Sequence, residues 1–223
     1  MEQHNWNNTS ELFEQLNKQC NYLILRNYEC MDQQDIFTDG HEDIDFLCED
    51  QQQMVSLLDA RPRHRYDNKV QYVILIGGKF VKIDLRHTGD AYYDPLWEQR
   101  MLKNRVLHPF GFYVMNREDY FYSLIYHSIL QKKFLSEDYR LRLEHMASEH
   151  GLSGVTERDF LRLLDRFMLQ NGYYYFYPND CTVTNRFHLT DPAKRKGYFL
   201  WCLRKVRHLP IRTINYMINK SGG

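Results

Sequence analysis

Residues 43–48 read Asp-Ile-Asp-Phe-Leu-Cys, with two aspartates separated by one apolar residue. The apolar residues of this stretch predict a strand. Because side chains alternate across a strand, Asp43 and Asp45 lie on one face while Ile44 points into the core. Two neighbouring carboxylates repel each other unless a cation lies between them, and hard divalent cations take oxygen ligands. The pair therefore indicates a site for a divalent metal ion.

A third carboxylate lies near the end of another predicted strand, which reads Phe-Val-Lys-Ile-Asp-Leu over residues 80–85. Asp84 is flanked by two apolar residues, so it projects alone from the other face of that strand. If the two strands are neighbours, Asp84 converges with Asp43 and Asp45. Carboxylates arranged in this way hold one or two Mg²⁺ ions for in-line displacement at phosphorus. All three are therefore predicted metal ligands and catalytic residues.

Strand patterns dominate the first half of the chain and helix patterns the second. Strands are predicted at 22–26, 43–48, 70–76 and 79–85, and helices at 51–58, 97–103, 117–134, 137–150, 156–171 and 193–209, after a first helix that begins near Asn8. Gly77-Gly78 separates two β-rich runs and predicts a two-residue hairpin. The order predicts an α+β fold, with a catalytic domain at 1–116 and a helical domain at 117–223.

The residues around the carboxylates resemble a known superfamily. Residues 41–47 (His-Glu-Asp-Ile-Asp-Phe-Leu) and 81–85 (Val-Lys-Ile-Asp-Leu) look like the nucleotidyltransferase superfamily. With residues 22–29, they more narrowly resemble the nucleotidyltransferase-like proteins of bacterial surface-polysaccharide gene clusters. The resemblance covers roughly residues 12–133. It implies a mixed sheet flanked by helices, Mg²⁺ or Mn²⁺ as cofactor, a nucleotide or nucleotide-activated donor, and a sugar hydroxyl as acceptor in polysaccharide biosynthesis.

One part of the superfamily pattern is missing from this chain. The superfamily has a Gly-Ser pair ahead of the Asp strand, where backbone N–H groups hold the triphosphate, whereas residues 25–28 here read Leu-Arg-Asn-Tyr. Arg26 is predicted to bind phosphate through its guanidinium instead. The identity of the donor therefore stays open. It is either a nucleoside triphosphate or another phosphorylated donor, such as a nucleotide-activated sugar or alcohol.

Five further residues are candidates for substrate binding. His87, Tyr92 and Tyr93 lie in or beside the loop after the second Asp strand, where acceptors are commonly recognised and where aromatic rings could stack on a sugar. Arg100 is a candidate for neutralising phosphate charge, and His127 lies on the apolar face of a predicted helix. Each has a structural alternative: tyrosines that cover the edge of the core, a solvated arginine, and a hydrogen-bonded core histidine.

Positive charge is concentrated at the C-terminal end. The chain has 29 basic and 29 acidic residues, but residues 192–223 hold eight Lys and Arg and no Asp or Glu. Taking those eight away leaves 21 basic against 29 acidic residues, a balance of −8. The predicted helix at 193–209 mixes basic and apolar residues. We expect it to dock on the acidic body and bury Trp201 and Leu203; contact with an anionic membrane surface or with nucleic acid are the alternatives.

Other features of the sequence bear on location and on rival functions. No stretch approaches the roughly 20 apolar residues of a transmembrane helix, the N-terminus does not resemble a signal peptide, and the five cysteines form no CxxC. We therefore expect a cytoplasmic protein with reduced thiols. Two alternatives to a sugar-directed transferase stay open: a toxin-type nucleotidyltransferase that acts on protein or tRNA, and an inactive fold that binds nucleotides as a module.

Overall fold

A computed structural model describes residues 3–28, 31, 43–63, 70–149 and 151–207. Most of the acidic loop predicted at 29–42 lies outside the described residues, as does the chain beyond residue 207.

A mixed sheet of eight strands forms the centre of the fold. The strands are β1 (Asn5–Trp6), β2 (Tyr22–Ile24), β3 (Asp43–Cys48), β4 (Arg61–Pro62), β5 (Gln71–Ile76), β6 (Lys79–His87), β7 (Val106–Leu107) and β8 (Tyr113–Val114). Their order is β1-β5-β6-β3-β2-β8-β7, with β4 paired to β5. Strand β3 runs parallel to β6 and antiparallel to β2. The two strands that carry the candidate carboxylates are therefore neighbours.

Helices flank the sheet and make up most of the second half of the chain. They are α1 (Thr9–Gln19), α2 (Gln51–Leu58), α3 (Pro95–Lys103), α4 (Arg117–Ile125), α5 (Glu137–Glu149) and α6 (Glu157–Gln170). A π-helical turn, Tyr126–Leu130, continues α4, so the helix predicted over 117–134 ends a few residues early. The predicted α+β layout, with a mixed sheet followed by a helical C-terminal half, is confirmed.

The hairpin between β5 and β6 turns at Gly77 and Gly78. Both have positive φ, +57° and +77°, as a two-residue turn of type I′ requires. The turn fixes an antiparallel register in which Ile76 pairs with Lys79 and Gln71 pairs with Asp84. This register sets where Asp84 lies along the sheet.

Alternating side chains on the central strands feed two hydrophobic cores. Tyr22, Ile24, Phe46 and Ile83 belong to the core that includes α1 and α2, whereas Leu23, Leu25 and Leu47 belong to the core that includes α3 to α6. Because Asp43 and Asp45 alternate with the intervening β3 residues, they share the face of Leu47 and point toward the helical half. That second core joins residues from both sides of position 116, and the division into two domains there stays a prediction.

The C-terminal segment differs from the helix predicted at 193–209. Pro192–Lys194 form a 3₁₀ turn and Arg195–Lys196 form strand β10. Of the segment predicted as a helix, the described α-helical part is residues 198–207. Strand β10 pairs in parallel with β9 (Tyr175–Phe176), and Gly197 has φ +81°. A helix cannot run through residues that pair as a strand and then adopt a left-handed conformation, so the helix begins later than predicted.

The helix at 198–207 touches the rest of the protein through one side. Trp201 is partly buried against Tyr177, with ring centroids 5.3 Å apart. Leu203 is 43% exposed and Phe199 is 72% exposed, so the predicted burial of Leu203 is wrong. The helix therefore docks through Trp201 and turns other apolar residues outward. None of the helices in the described ranges is both long enough and apolar enough to cross a bilayer.

Candidate metal centre

Three carboxylates converge where β3 and β6 lie side by side. Asp45 pairs directly with Asp84 across the two strands, and Asp43 pairs with Lys82 two residues earlier on each strand. Asp43, Asp45 and Asp84 each offer one oxygen such that all three oxygens lie within 4.8 Å of one another. This is the convergence that the spacing of the aspartates predicted. Their catalytic and metal-binding roles stay predictions.

The electrostatics of this cluster favour a cation. Burial raises the pKa of Asp84 to about 6, and the negative charge of Asp45 adds to the increase. Asp43 acts in the same direction, whereas Arg86 and Arg26 oppose it. A carboxylate surrounded in this way is costly when ionised unless a positive charge compensates it. Three hard oxygen donors at this spacing suit a hard divalent cation, so the residues present fit a metal ion of that kind.

Arg26 reaches the cluster from the end of β2. Its Nε donates to Asp45 Oδ2 at 2.9 Å, and the side chain is only 6% exposed. One terminal nitrogen donates to the hydroxyl of Tyr92 at 2.8 Å, and the other lies 3.5 Å from the hydroxyl of Tyr93. The guanidinium is thus used within the protein, and binding of a substrate phosphate by Arg26 stays a prediction.

Tyr92 and Tyr93 are buried rather than open to a ligand. Their side chains are 3% and 0% exposed, and their rings pack edge to face with centroids 4.9 Å apart. Tyr93 also packs against Trp97 and Tyr126. Neither ring presents an open face to a sugar in this structure, and the stacking role stays a prediction.

His127 lies inside the protein, beside residues that contact the carboxylate cluster. Its Nδ1 is 3.2 Å from the hydroxyl of Tyr92 and 3.2 Å from Oε1 of Gln131. Burial lowers the pKa of His127 well below its ordinary value, and Arg26 and Lys132 lower it further. The imidazole is therefore neutral near pH 7. We assign its proton to Nδ1, which then donates to the side-chain oxygen Oε1 of Gln131.

The remaining two candidates lie elsewhere. His87 is on the opposite side of β6 from Asp84, because the two are three positions apart on an alternating strand. It borders an open depression that also includes Asp50 and Gln51 at the start of α2. Arg100 contacts Asn171, Glu118 and Asp119 in the helical half. The structure therefore does not bring either residue to the three carboxylates.

Two basic residues near the carboxylates, Arg86 and Lys132, were not among the residues predicted from the sequence. The guanidinium of Arg86 lies 4.3 Å from the centre of the Tyr92 ring and pairs with Asp180 at 3.0 Å. Loss of hydration lowers the pKa of Lys132, with Arg26 contributing, while Asp45 and Asp43 act in the opposite direction. Lys132 is thus within electrostatic reach of the cluster, although it lies far from Asp84 in the chain. No local sequence pattern indicates this proximity, because it depends on how the helical half packs.

The chain is similar in structure to nucleotidyltransferase-type proteins at low TM-scores and low sequence identity. No protein-family model matches the chain, and no curated protein does. An antigenic nucleotidyltransferase-like protein from Paracoccidioides brasiliensis is similar in structure, with a TM-score of 0.42 and 13% identity over 73% of this chain and 86% of that one. The antibiotic-resistance factor ANT(2'')-Ia is similar with a TM-score of 0.39 and 11% identity over 74% of this chain and 93% of that one. At this level neither assigns a substrate to this chain.

Proposed function

We propose that this protein is a metal-dependent transferase that moves a nucleotidyl or other phosphoryl-containing group to a hydroxyl acceptor. The observation that carries the proposal is the convergence of Asp43, Asp45 and Asp84 within 4.8 Å on two neighbouring strands. A divalent cation held there would stabilise charge on the transferred group. The three aspartates would hold the cation, or Asp84 would instead accept the acceptor's hydroxyl proton at its carboxylate oxygen.

The raised pKa of Asp84 supports the second of these roles. A general base works best when its pKa is close to the working pH, and in the metal-free protein burial with two neighbouring carboxylates raises the pKa of this carboxyl to about 6. Lys132 is within electrostatic reach of Asp43 and Asp45 and is exposed. It could therefore pair with a substrate phosphate that approaches the cluster from the helical side.

The finer identity of the substrates follows from resemblance alone. We propose a nucleotide or nucleotide-activated donor and a sugar hydroxyl acceptor in surface-polysaccharide synthesis, with Mg²⁺ or Mn²⁺ as the cofactor. We also propose a cytoplasmic location, in keeping with the free thiols of Cys20, Cys48 and Cys202; Cys30 lies outside the described residues.

A ligand panel tests the proposed activity. Purified protein would be heated with Mn²⁺ and each of a set of nucleoside triphosphates and nucleotide-sugars, and the unfolding temperature recorded. We expect at least one ligand to raise the unfolding temperature only when Mn²⁺ is present, and Asp45→Asn to remove that dependence. Any ligand so identified is then tested for turnover with sugar, protein and tRNA acceptors. Binding without turnover would favour the inactive module, and transfer to protein or tRNA the toxin-type enzyme.

We also propose peripheral membrane contact through the helix at 198–207. Four of its apolar side chains are exposed, with fractions from 43% to 72%: Phe199, Leu200, Leu203 and Val206. Arg204, Lys205 and Arg207 lie on the same short helix. Exposed apolar residues beside basic ones favour binding at the surface of an anionic bilayer.

A further inference from the structure

A buried hydrogen-bonded chain ends on one of the candidate metal ligands. Asp45 Oδ2 accepts from Arg26 Nε at 2.9 Å, and both side chains are mostly buried, at 15% and 6% exposure. A carboxylate has two oxygens, so this bond fixes the Asp45 side chain while its other oxygen stays available to a cation. We propose that Arg26 and Tyr92 are positioning residues that orient Asp45 for metal binding; the inference rests on the proposed metal-dependent function.

Arg26 is itself held by Tyr92. The Tyr92 hydroxyl accepts from a terminal nitrogen of Arg26 at 2.8 Å, and the Arg26 guanidinium lies 5.7 Å from the centre of the Tyr92 ring. Tyr92 is buried, with 3% exposure. A phenylalanine would keep most of its packing, so the specific contribution of the hydroxyl is its hydrogen bonds. Through its bond to Arg26, the hydroxyl acts on Asp45.

Tyr92 is in turn fixed at its backbone and its ring. Its N–H donates to Asp90 Oδ1 at 2.8 Å, and its carbonyl accepts from Gln131 Nε2 at 3.0 Å. The guanidinium of Arg86 covers its ring at 4.3 Å. Gln131 follows directly on the π-helical turn Tyr126–Leu130, so the chain joins the carboxylate cluster on the sheet to the helical half.

Positioning and charge predict opposite effects on metal affinity. A guanidinium beside a cation site repels the cation, so a purely electrostatic role predicts that removing the Arg26 charge tightens metal binding. A positioning role predicts the reverse, because a ligand that is not held must be ordered when the metal binds. Partners that orient a metal ligand typically contribute about 10–100-fold to metal affinity.

Tyr92→Phe separates the two effects, since it removes one hydroxyl and changes no charge. Tyr126→Phe is the matched control: Tyr126 is fully buried in the same aromatic cluster, and its hydroxyl has no hydrogen-bond partner among the described residues. Mn²⁺ binding to the full chain would be followed by the loss of the free-ion electron paramagnetic resonance signal. We expect Tyr92→Phe to weaken Mn²⁺ binding about 10-fold and Tyr126→Phe to leave it unchanged.

Arg26→Lys and Arg26→Gln supply the second measurement. Lysine keeps the charge but lacks the fork that bonds Asp45 and Tyr92 together, so we expect weaker Mn²⁺ binding from both variants. Tighter binding by Arg26→Gln, or equal binding by wild type and Tyr92→Phe, would overturn the positioning role and leave the transferase proposal standing. Absence of Mn²⁺ binding by the wild-type protein would overturn the proposed metal-dependent function, and this inference with it.

Discussion

Asp45 and Asp84 face each other as a directly paired position on the neighbouring parallel strands β3 and β6. Carboxylates placed directly opposite each other on a sheet destabilise the fold when both are ionised. Arg26 compensates Asp45 at 2.9 Å, whereas the pKa of Asp84 is raised to about 6 by burial and by its acidic neighbours. In the absence of a cation, Asp84 is therefore the member of the pair that strains the fold near neutral pH.

The first prediction is that Asp84→Asn stabilises the metal-free protein. A folded-state pKa raised from 3.8 to about 6 gives stability that is complete below pH 3.8 and is lost as the pH rises through 6. Above pH 6 the ionised carboxylate is a cost, which asparagine avoids. We expect a gain of about 2 kcal/mol in the free energy of unfolding at pH 7.5, allowing for partial exposure of the side chain. Urea unfolding in the presence of a chelator measures it.

Two comparisons make that prediction specific. The difference between variant and wild type should shrink as the pH falls from 7.5 to 4.5, because Asp84 then becomes protonated in the folded wild type. Saturating Mn²⁺ should reverse the order, since only the wild type keeps all three negatively charged carboxylate ligands. A pH-independent difference would mean that the change acts through packing rather than through charge.

The second prediction concerns Asp45→Asn, which keeps the shape of the side chain but removes its charge. We expect metal-dependent turnover to fall at least about 100-fold, the upper end of what partners of a ligand contribute, with an unchanged circular dichroism spectrum. Asp138→Asn is the control, because Asp138 is 69% exposed on α5. Full turnover by Asp45→Asn would show that the cluster is not catalytic.

The parts of the fold that the sequence predicts well are those set by local pattern. Strand β3 (Asp43–Cys48) and helix α2 (Gln51–Leu58) have the predicted bounds. Alternation in β3 puts two carboxylates on one face, and the glycine pair fixes the β5–β6 register. From these local facts, convergence of Asp84 with the pair needs only one tertiary assumption, that β3 and β6 are neighbours.

The parts that could not be predicted depend on distant contacts. The partners of Arg26 include Tyr92 and Tyr93, which are 66 and 67 residues away in the chain, and no local sequence pattern indicates them. The last helix starts late because Arg195–Lys196 pair with β9. The helical periodicity over 193–209 does not show that strand β9 is available to pair with Arg195–Lys196.

The third prediction tests the turn that sets the register of Asp84. Gly78 has φ +77°, and among the described residues no atom beyond the two adjacent residues lies within 4 Å of the place that a Cβ would take. Gly78→Ala should therefore destabilise the protein through backbone strain rather than through a clash. We expect it to lower the free energy of unfolding by about 1 kcal/mol. Gly77→Asn is the control, because asparagine tolerates the left-handed conformation at the first turn position. Equal urea midpoints for wild type and Gly78→Ala would contradict the assigned turn.

The two sides of the helix at 198–207 suit two different roles of the basic C-terminal segment: docking on the protein and binding to a membrane surface. Docking uses Trp201, which is partly buried and packs on Tyr177. Phe199 and Leu203 are left 72% and 43% exposed. A change on the exposed side should therefore affect binding to a surface without affecting the stability of the fold.

The fourth prediction is that Phe199→Ser combined with Leu203→Ser abolishes binding to vesicles that contain phosphatidylserine and leaves the unfolding midpoint unchanged. Phe80→Ser is the matched control, because Phe80 is 74% exposed at the hairpin between β5 and β6. Wild-type binding, measured by co-sedimentation, should weaken as salt rises from about 0.1 to 0.5 M, because the attraction of basic residues to the surface is screened. Salt-independent binding, or a double variant that sediments with vesicles like the wild type, would rule out this helix as the membrane contact. If the double variant instead dissociates a dimer in analytical ultracentrifugation, the exposed side is covered by a second copy of the chain.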